Sequence, residues 1–251
     1  NQRIMNKQFD ADQFHTHLIS GNRFKAVLLI VLLSIIGYFL FTLWAGWENV
    51  LGAIRQVGAA GIAIALCLSL LNFLLRFVRW QYFLHLLGYR IPAKTSFRIY
   101  MAGFALTTTP GKTGEALRGV LLKDYNVPLR KSFGAFLSER TSDLLSVSLL
   151  ASVGLWIYPP ARPVILVVLA LIFALFVTVQ KESWLKAAER VAKRLFPDRF
   201  AHVVEFLLEM ALSFRSCFSP KALAVSLTLG VAAWTAEAVA LWYLAFLLGQ
   251  N

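Results

Sequence analysis

Apolar and polar positions alternate along this chain on the scale of whole helices. Ala26 to Gly46 carries no charge, and Gly58 to Leu75 carries only Ser69 and Asn72 as polar side chains before running into Arg76 and Arg79. Val164 to Val179 and Leu223 to Leu248 repeat the pattern, the last interrupted by Glu237. Runs of this kind approach or exceed the length that crosses ~30 Å of hydrocarbon at 1.5 Å per residue. They predict an all-α integral membrane protein, a polytopic helical bundle.

Two stretches break the pattern. Leu129 to Tyr158 places Glu139, Arg140 and Asp143 in its first half and only apolar character in its second, and Pro159, Pro160 and Pro163 then form a stiff turn. Between Lys181 and Lys221, Trp184, Leu185, Ala188, Val191, Ala192 and Leu195 recur at helical spacing, with Lys186, Glu189, Arg190, Lys193 and Arg194 opposite. A second such face runs through Phe200, Val204, Leu207, Ala211, Phe214 and Phe218. Over about 181–218 this predicts interfacial amphipathic helices, or alternatively a cytosolic helical hairpin.

The segment from Thr107 to Arg118 is the most informative. It sets Thr109, Pro110, Gly111, Lys112, Gly114, Glu115 and Arg118 between two short apolar arms, Ile99 to Leu106 and Ala116 to Leu122. Neither arm alone spans a bilayer. Irregular backbone at membrane depth is tolerated only inside protein or against a water-filled cavity.

Charge orients these pieces. The net charge is +12, with ten Lys/Arg against two acids between Arg76 and Lys131, and eight against five between Lys181 and Lys221. The segments after the first run and around the Pro turn are nearly charge-free. The positive-inside rule puts the N-terminal tail (1–25) and both basic regions in the cytoplasm, with the bundle in the cytoplasmic membrane. No nucleic-acid recognition module accompanies the basic residues, so topology and anionic lipid account for them. Arg90, Lys94 and Arg98 precede the Pro-Gly break and Lys123, Arg130 and Lys131 follow it. The pattern predicts a cytoplasmic-side re-entrant hairpin over about 97–124, with its tip at Thr107 to Gly114. Two full spans squeezed short are the alternative.

Candidate chemistry follows from placement. The returning half-helix begins near Thr113 and Gly114, where unpaired N–H groups and a positive dipole end suit an anion such as phosphate, reinforced by Lys112. Glu115 and Arg118 stand three residues apart and share a face, which also fits a clasp that merely staples the hairpin. Glu139 and Asp143 lie one turn apart with Arg140 on their flank. They suit a cation, a proton relay or an ammonium headgroup, or pairing with Arg76, Arg79 or Arg118. Glu237 sits mid-run between Trp234 and Trp242, where a carboxylate is costly unless paired or protonated, and a cavity-facing position is expected.

Other chemistry finds no support. Gly111, Lys112 and Thr113 look like part of a nucleotide-binding loop, but its first glycine falls on Leu106. Cys67 and Cys217 give no disulfide framework, and His15 with His17 has no second ligand pair. Neither a cofactor, a metal nor an enzyme's catalytic constellation is expected.

Pro110 through Arg118 resembles the P-G-x-x-G-E-x-x-R signature of the lysylphosphatidylglycerol synthase transmembrane family, also called flippase-like domain proteins. Glu139 to Asp143 is similar to that family's following E-R-x-x-D motif, and Trp234 to Glu237 to a weaker third. The resemblance covers roughly Gly58 to Leu248. It implies a polytopic helical fold at 26–251 and a lipid translocase. In the multiple peptide resistance factors, a domain of this family moves aminoacylated phosphatidylglycerol made by a separate soluble domain. Stand-alone relatives accompany glycosyltransferases or polyprenyl lipid pathways. The implied partners are therefore a membrane phospholipid or polyprenyl-phosphate lipid and a lipid-modifying synthase or glycosyltransferase. By the resemblance, Pro110, Gly111, Gly114, Glu115, Arg118, Glu139, Arg140, Asp143 and Glu237 are substrate-site residues. A second P-G-G-x-G break followed by Glu is absent before Asn251, so a C-terminally truncated domain is expected. The alternatives are a membrane enzyme or accessory subunit for polyprenyl-phosphate-linked sugars, and a non-transporting lipid-binding scaffold.

Overall fold

The computed structural model describes residues 22–44, 46–105, 113–156, 159–180, 190 and 201–250. The N-terminal tail with His15 and His17, the hairpin tip with Thr109, Pro110, Gly111 and Lys112, and the first amphipathic stretch (apart from Arg190) lie outside the described residues. Among the described residues there are eight α-helices of ten residues or more, with short 3₁₀ turns between some of them and no strands. They are α1 (Asn22–Trp44), α2 (Trp47–Leu86), α3 (Ala93–Ala105), α4 (Thr113–Leu122), α5 (Leu129–Val153), α6 (Arg162–Gln180), α7 (Ala201–Cys217) and α8 (Pro220–Leu247).

The long helices follow the apolar runs, with shifted ends. The helical run containing the second apolar stretch starts earlier and ends later than that stretch, covering 40 residues with a break at Gly58 (φ 67°, ψ 169°). Only glycine adopts such a conformation without strain. Continuation past Leu75 keeps Arg76 and Arg79 helical rather than in a loop. α2 and α8 are long and apolar enough to cross a membrane; Leu32–Trp44 and Arg162–Ala174 are shorter apolar helical segments. Large apolar side chains along α1, α2 and α6, among them Leu33, Phe39, Leu66, Leu70, Val164 and Phe173, stay exposed. A continuous apolar surface of this size marks contact with lipid or partner protein.

α2 and α8 form the main antiparallel pair. Gln56 donates to the Leu247 carbonyl at 3.0 Å near one end, and Asn72 donates to the Ala233 carbonyl at 2.8 Å further along. Small residues on α8 (Ser226, Gly230, Ala233, Ala236, Ala240) are buried. Small side chains let helix backbones approach closely where no water drives them together.

The packed core lies at the far end of α2. Trp80, Phe83 and Leu84 meet Ile99 and Tyr100 of α3, Leu122 of α4, Ala135 of α5, and Phe214 and Cys217 of α7. The turns around this core are closed by paired backbone bonds. Tyr89 donates to Leu84 O and Gly88 (φ 89°) to His85 O; Val127 donates to Leu122 O and Asn126 (φ 58°) to Lys123 O. Both are Schellman closures with a left-handed residue at the helix end.

α3 and α4 are 13 and 10 residues long, about 20 and 15 Å at 1.5 Å per residue, too short to cross ~30 Å. They pack against each other, and α4 starts at Thr113, where the returning half-helix was expected.

α7 departs from the expected face. Phe214 and Phe218 are buried, but Leu207 is half exposed, and Phe206 instead meets Phe133 edge-on with ring centroids 5.8 Å apart. The rotation is set by α5. A Cβ at Gly134 would stand 2.9 Å from the Met210 carbonyl oxygen, so the two backbones touch there. Arg130 adds ion pairs to Glu205, at 3.2 Å, and to Glu209. α7 is thus docked on α5 through its own stripe.

Candidate functional site

Charged side chains from three helices, joined by aromatic rings from α3 and α8, converge beside the core. On α2, Ser69, Asn72, Arg76 and Arg79 recur at spacings of three, four and three, which places them along one helical stripe. On α5, Glu139 and Asp143 stand one turn apart and face that stripe. Arg118 arrives from α4, Tyr100 from α3 and Trp234 from α8.

Asp143 is held from three sides. Arg76 Nη2 lies 3.1 Å from its Oδ2, Arg79 Nη2 contacts Oδ1, and Trp234 Nε1 donates to Oδ1 at 3.1 Å. Glu139 is held by Arg118 Nη1 at 3.1 Å and by the Tyr100 hydroxyl at 3.3 Å. Arg140 Nη2 bridges the two acids, 3.2 Å from Glu139 Oε1 and 3.5 Å from Asp143 Oδ2.

Aromatic faces complete the shell. The Arg118 guanidinium lies 4.8 Å from the ring centroids of both Trp80 and Tyr100. Arg76 lies 5.4 Å from Phe104 and 5.8 Å from Trp234. Desolvated cation–π contacts of this kind are worth ~2 kcal/mol or more each. Gly103 is what lets Arg118 in, since a Cβ there would stand 2.8 Å from Arg118 Cδ.

Arg76, Arg79, Arg118 and Arg140 thus converge on Glu139 and Asp143. Arg79, Arg118, Glu139 and Asp143 are buried. The Arg76 side chain is 11% exposed and that of Arg140 27%, so the cluster opens on that side. Nε of Arg76, and Nε and Nη1 of Arg79, are buried with no hydrogen-bond partner. Buried guanidinium N–H groups without an acceptor are an arrangement that an anion completes.

The expected site residues divide accordingly. Arg118, Glu139, Arg140 and Asp143 come together, in the pairing with Arg76, Arg79 and Arg118 anticipated as one alternative. Gly114 and Glu115 belong to the first turn of α4. Arg118 stands five residues from the start of that helix, so the cluster lies within about 8 Å, along the axis, of where the tip begins. Glu237 lies apart from the cluster. It is half-buried between α2 and α8, accepting a hydrogen bond from Ser69 Oγ at 3.2 Å. Trp242 is exposed and stacks on Phe246, whereas Trp234 is a cluster member.

Tyr100 and the α5 serines went unforeseen. Ser138, Ser142 and Ser146 are buried one turn apart; Ser142 bonds Ser226 across to α8 at 3.3 Å, and Ser146 lies against Gly230. The four-residue spacing of those serines was the signal available. Nothing in its own run of apolar neighbours marks Tyr100.

The chain matches the family described as "Lysylphosphatidylglycerol synthase TM region" over residues 24–251 and belongs to it. Family membership and the apolar helices make it a membrane protein. The chain is also similar to glycosyltransferase AglD of Haloferax volcanii, 29% identical over 129 residues, which are 50% of this chain and 20% of that protein. It therefore spans about a fifth of that relative's length. No solved structure matches it.

Proposed function

We propose that this member of the lysylphosphatidylglycerol synthase transmembrane family is a lipid translocase of the cytoplasmic membrane, acting on a lipid with a phosphate in its headgroup. The observation that carries the reading is the convergence of four arginines, with buried N–H groups of Arg76 and Arg79 that have no hydrogen-bond partner, in a cluster open at Arg76 and Arg140. A phosphate at that opening accepts charge-assisted bonds from guanidinium N–H groups. The α3–α4 hairpin enters and leaves the membrane from the cytoplasmic side, consistent with its short arms and basic flanks. The N-terminus of α4 at Thr113 adds positive field on the headgroup. α7 lies at the cytoplasmic surface and the N-terminus is cytoplasmic.

Vesicles with the reconstituted chain and a leaflet-labelled anionic phospholipid test this. The expected result is faster leaflet exchange than in protein-free vesicles, slowed by Arg140→Ala. Equal exchange with and without protein rejects the reading.

A second reading is favoured by the glycosyltransferase relative: an accessory membrane unit for polyprenyl-phosphate-linked sugars. The same arginines would hold the polyprenyl phosphate while a partner transfers the sugar. Polyprenyl-phosphate binding without exchange, together with raised transferase activity of a co-expressed partner, would select it.

A further inference from the structure

Glu237 takes no part in the arginine cluster, yet it lies within the α2–α8 pair, midway along apolar α8. Its groove holds about 320 Å³ and is lined by Ile62, Ala65, Leu66, Ser69, Ala240, Leu241 and Leu244. At the rim, Leu66 is 65% exposed and Leu241 71%, so the groove opens onto the apolar outer surface, where lipid lies. From these observations we infer that Glu237 is a proton-binding site facing the bilayer, separate from the phosphate-binding cluster.

The surroundings of the carboxyl select the proton over other cations. A carboxylate anion out of water needs several donors or a counter-ion, and this groove provides one hydroxyl, Ser69 Oγ at 3.2 Å. The neutral acid has no such need. A calcium or magnesium ion demands six or more oxygen ligands, far beyond one carboxyl and one hydroxyl. An organic ammonium is best held against aromatic faces, and the lining has none.

Among the described residues, no other charged or titratable side chain lines the groove. On α2, Asn72 is engaged with the Ala233 carbonyl. Arg76, seven residues or about 10 Å along the same helix, is committed to Asp143. On α8, Trp234 turns one turn earlier to Asp143 of α5. Ser69, Asn72, Arg76 and Arg79 thus form a polar stripe from Glu237 to the cluster along the α2–α8 seam. The proton site stands on the groove alone. Its use as the coupling ion for lipid movement rests on the translocase reading.

A hydrophobic carbodiimide reports the site. The acid's O–H adds across a C=N bond: the carboxyl oxygen bonds the central carbon, its proton passes to nitrogen, and rearrangement leaves a stable N-acylurea. The full chain in liposomes, treated with N,N′-dicyclohexylcarbodiimide and mapped by peptide mass spectrometry, should carry the adduct on Glu237. Labelling should fall as pH rises, and Glu237→Gln should abolish it. Ser69→Ala removes a donor that favours the anion, so the fall should move to higher pH.

No adduct at Glu237, pH-independent labelling, or equal labelling by a water-soluble carbodiimide overturns the inference. These readouts come from the wild-type chain, so they do not depend on a variant's folding. Leaflet exchange measured in the same vesicles separates the two claims. Exchange without an adduct sinks the proton site and leaves the translocase; an adduct without exchange does the reverse.

Discussion

Arg118 of α4 places Nη1 3.1 Å from Oε2 of Glu139 on α5, and both side chains are buried. This contact ties the second arm of the short hairpin to the helix bearing both acids. Removing one member of a buried pair costs about 3–5 kcal/mol when the other charge is left alone. Here Glu139 keeps Arg140 and the Tyr100 hydroxyl, so the loss falls at or below the low end of that range. Arg118→Ala should therefore lower the thermal midpoint in detergent. Arg118→Lys should recover only part of the loss, because an ammonium does not reproduce the planar guanidinium stacked on Trp80 and Tyr100. A midpoint within a degree of wild type for Arg118→Ala would contradict the pairing.

Arg140 separates binding from stability. Its side chain is partly exposed, and Glu139 and Asp143 keep Arg118, Arg76 and Arg79 when it is removed, so its ion pairs contribute roughly 0–1 kcal/mol to folding. A charge-assisted bond to phosphate is worth about 1.5–3 kcal/mol. Arg140→Ala should leave the melting midpoint almost unchanged while weakening binding of an anionic phospholipid roughly 10–100-fold in titrations against nanodiscs. Arg162→Ala, on the exposed start of α6, is the control expected to change neither.

Gly134 tests the α5–α7 crossing. A side chain there meets backbone, which cannot rotate away. Gly134→Val should cost ~1–3 kcal/mol or more, as overpacking does. Gly154→Ala, where nothing lies within 4 Å, should be close to neutral. Paired thermal unfolding curves decide between them.

The two cysteines should differ in reactivity. Cys67 is exposed on α2 in its most apolar stretch, while Cys217 is buried. Burial pushes the Cys217 thiol up to about 12, so raising the pH from 7 to 9 does not free its thiolate. In liposomes, a membrane-permeant maleimide should modify Cys67 and a charged one should not. Cys217 should react only after unfolding. Rapid labelling of Cys217 in the native state would overturn its placement in the core.

Much of the helical layout was legible in the sequence because lipid imposes a simple rule: an apolar run of sufficient length satisfies its own backbone bonds as a helix. Thr113 was readable as a helix start, and Glu139 with Asp143 as a same-face pair, because helical period is a local property; the helical stretch before Gly58 was not. The α7 face was read less well. Periodicity gives an apolar stripe, but Gly134 and the Arg130 ion pairs choose which part of it is covered.

The sequence by itself determined where most helices run and which charged residues share a helical face. Tertiary structure decided what those charges meet. Arg76 and Arg79 lie more than sixty positions from Asp143, and Trp234 more than ninety; no local pattern encodes such a meeting. It follows from small residues on α8 that admit α2, and from Gly103, which admits Arg118. The same packing left Glu237 outside the cluster with Ser69 as its partner, because the α2 stripe carries arginines at one end and only a hydroxyl at the other.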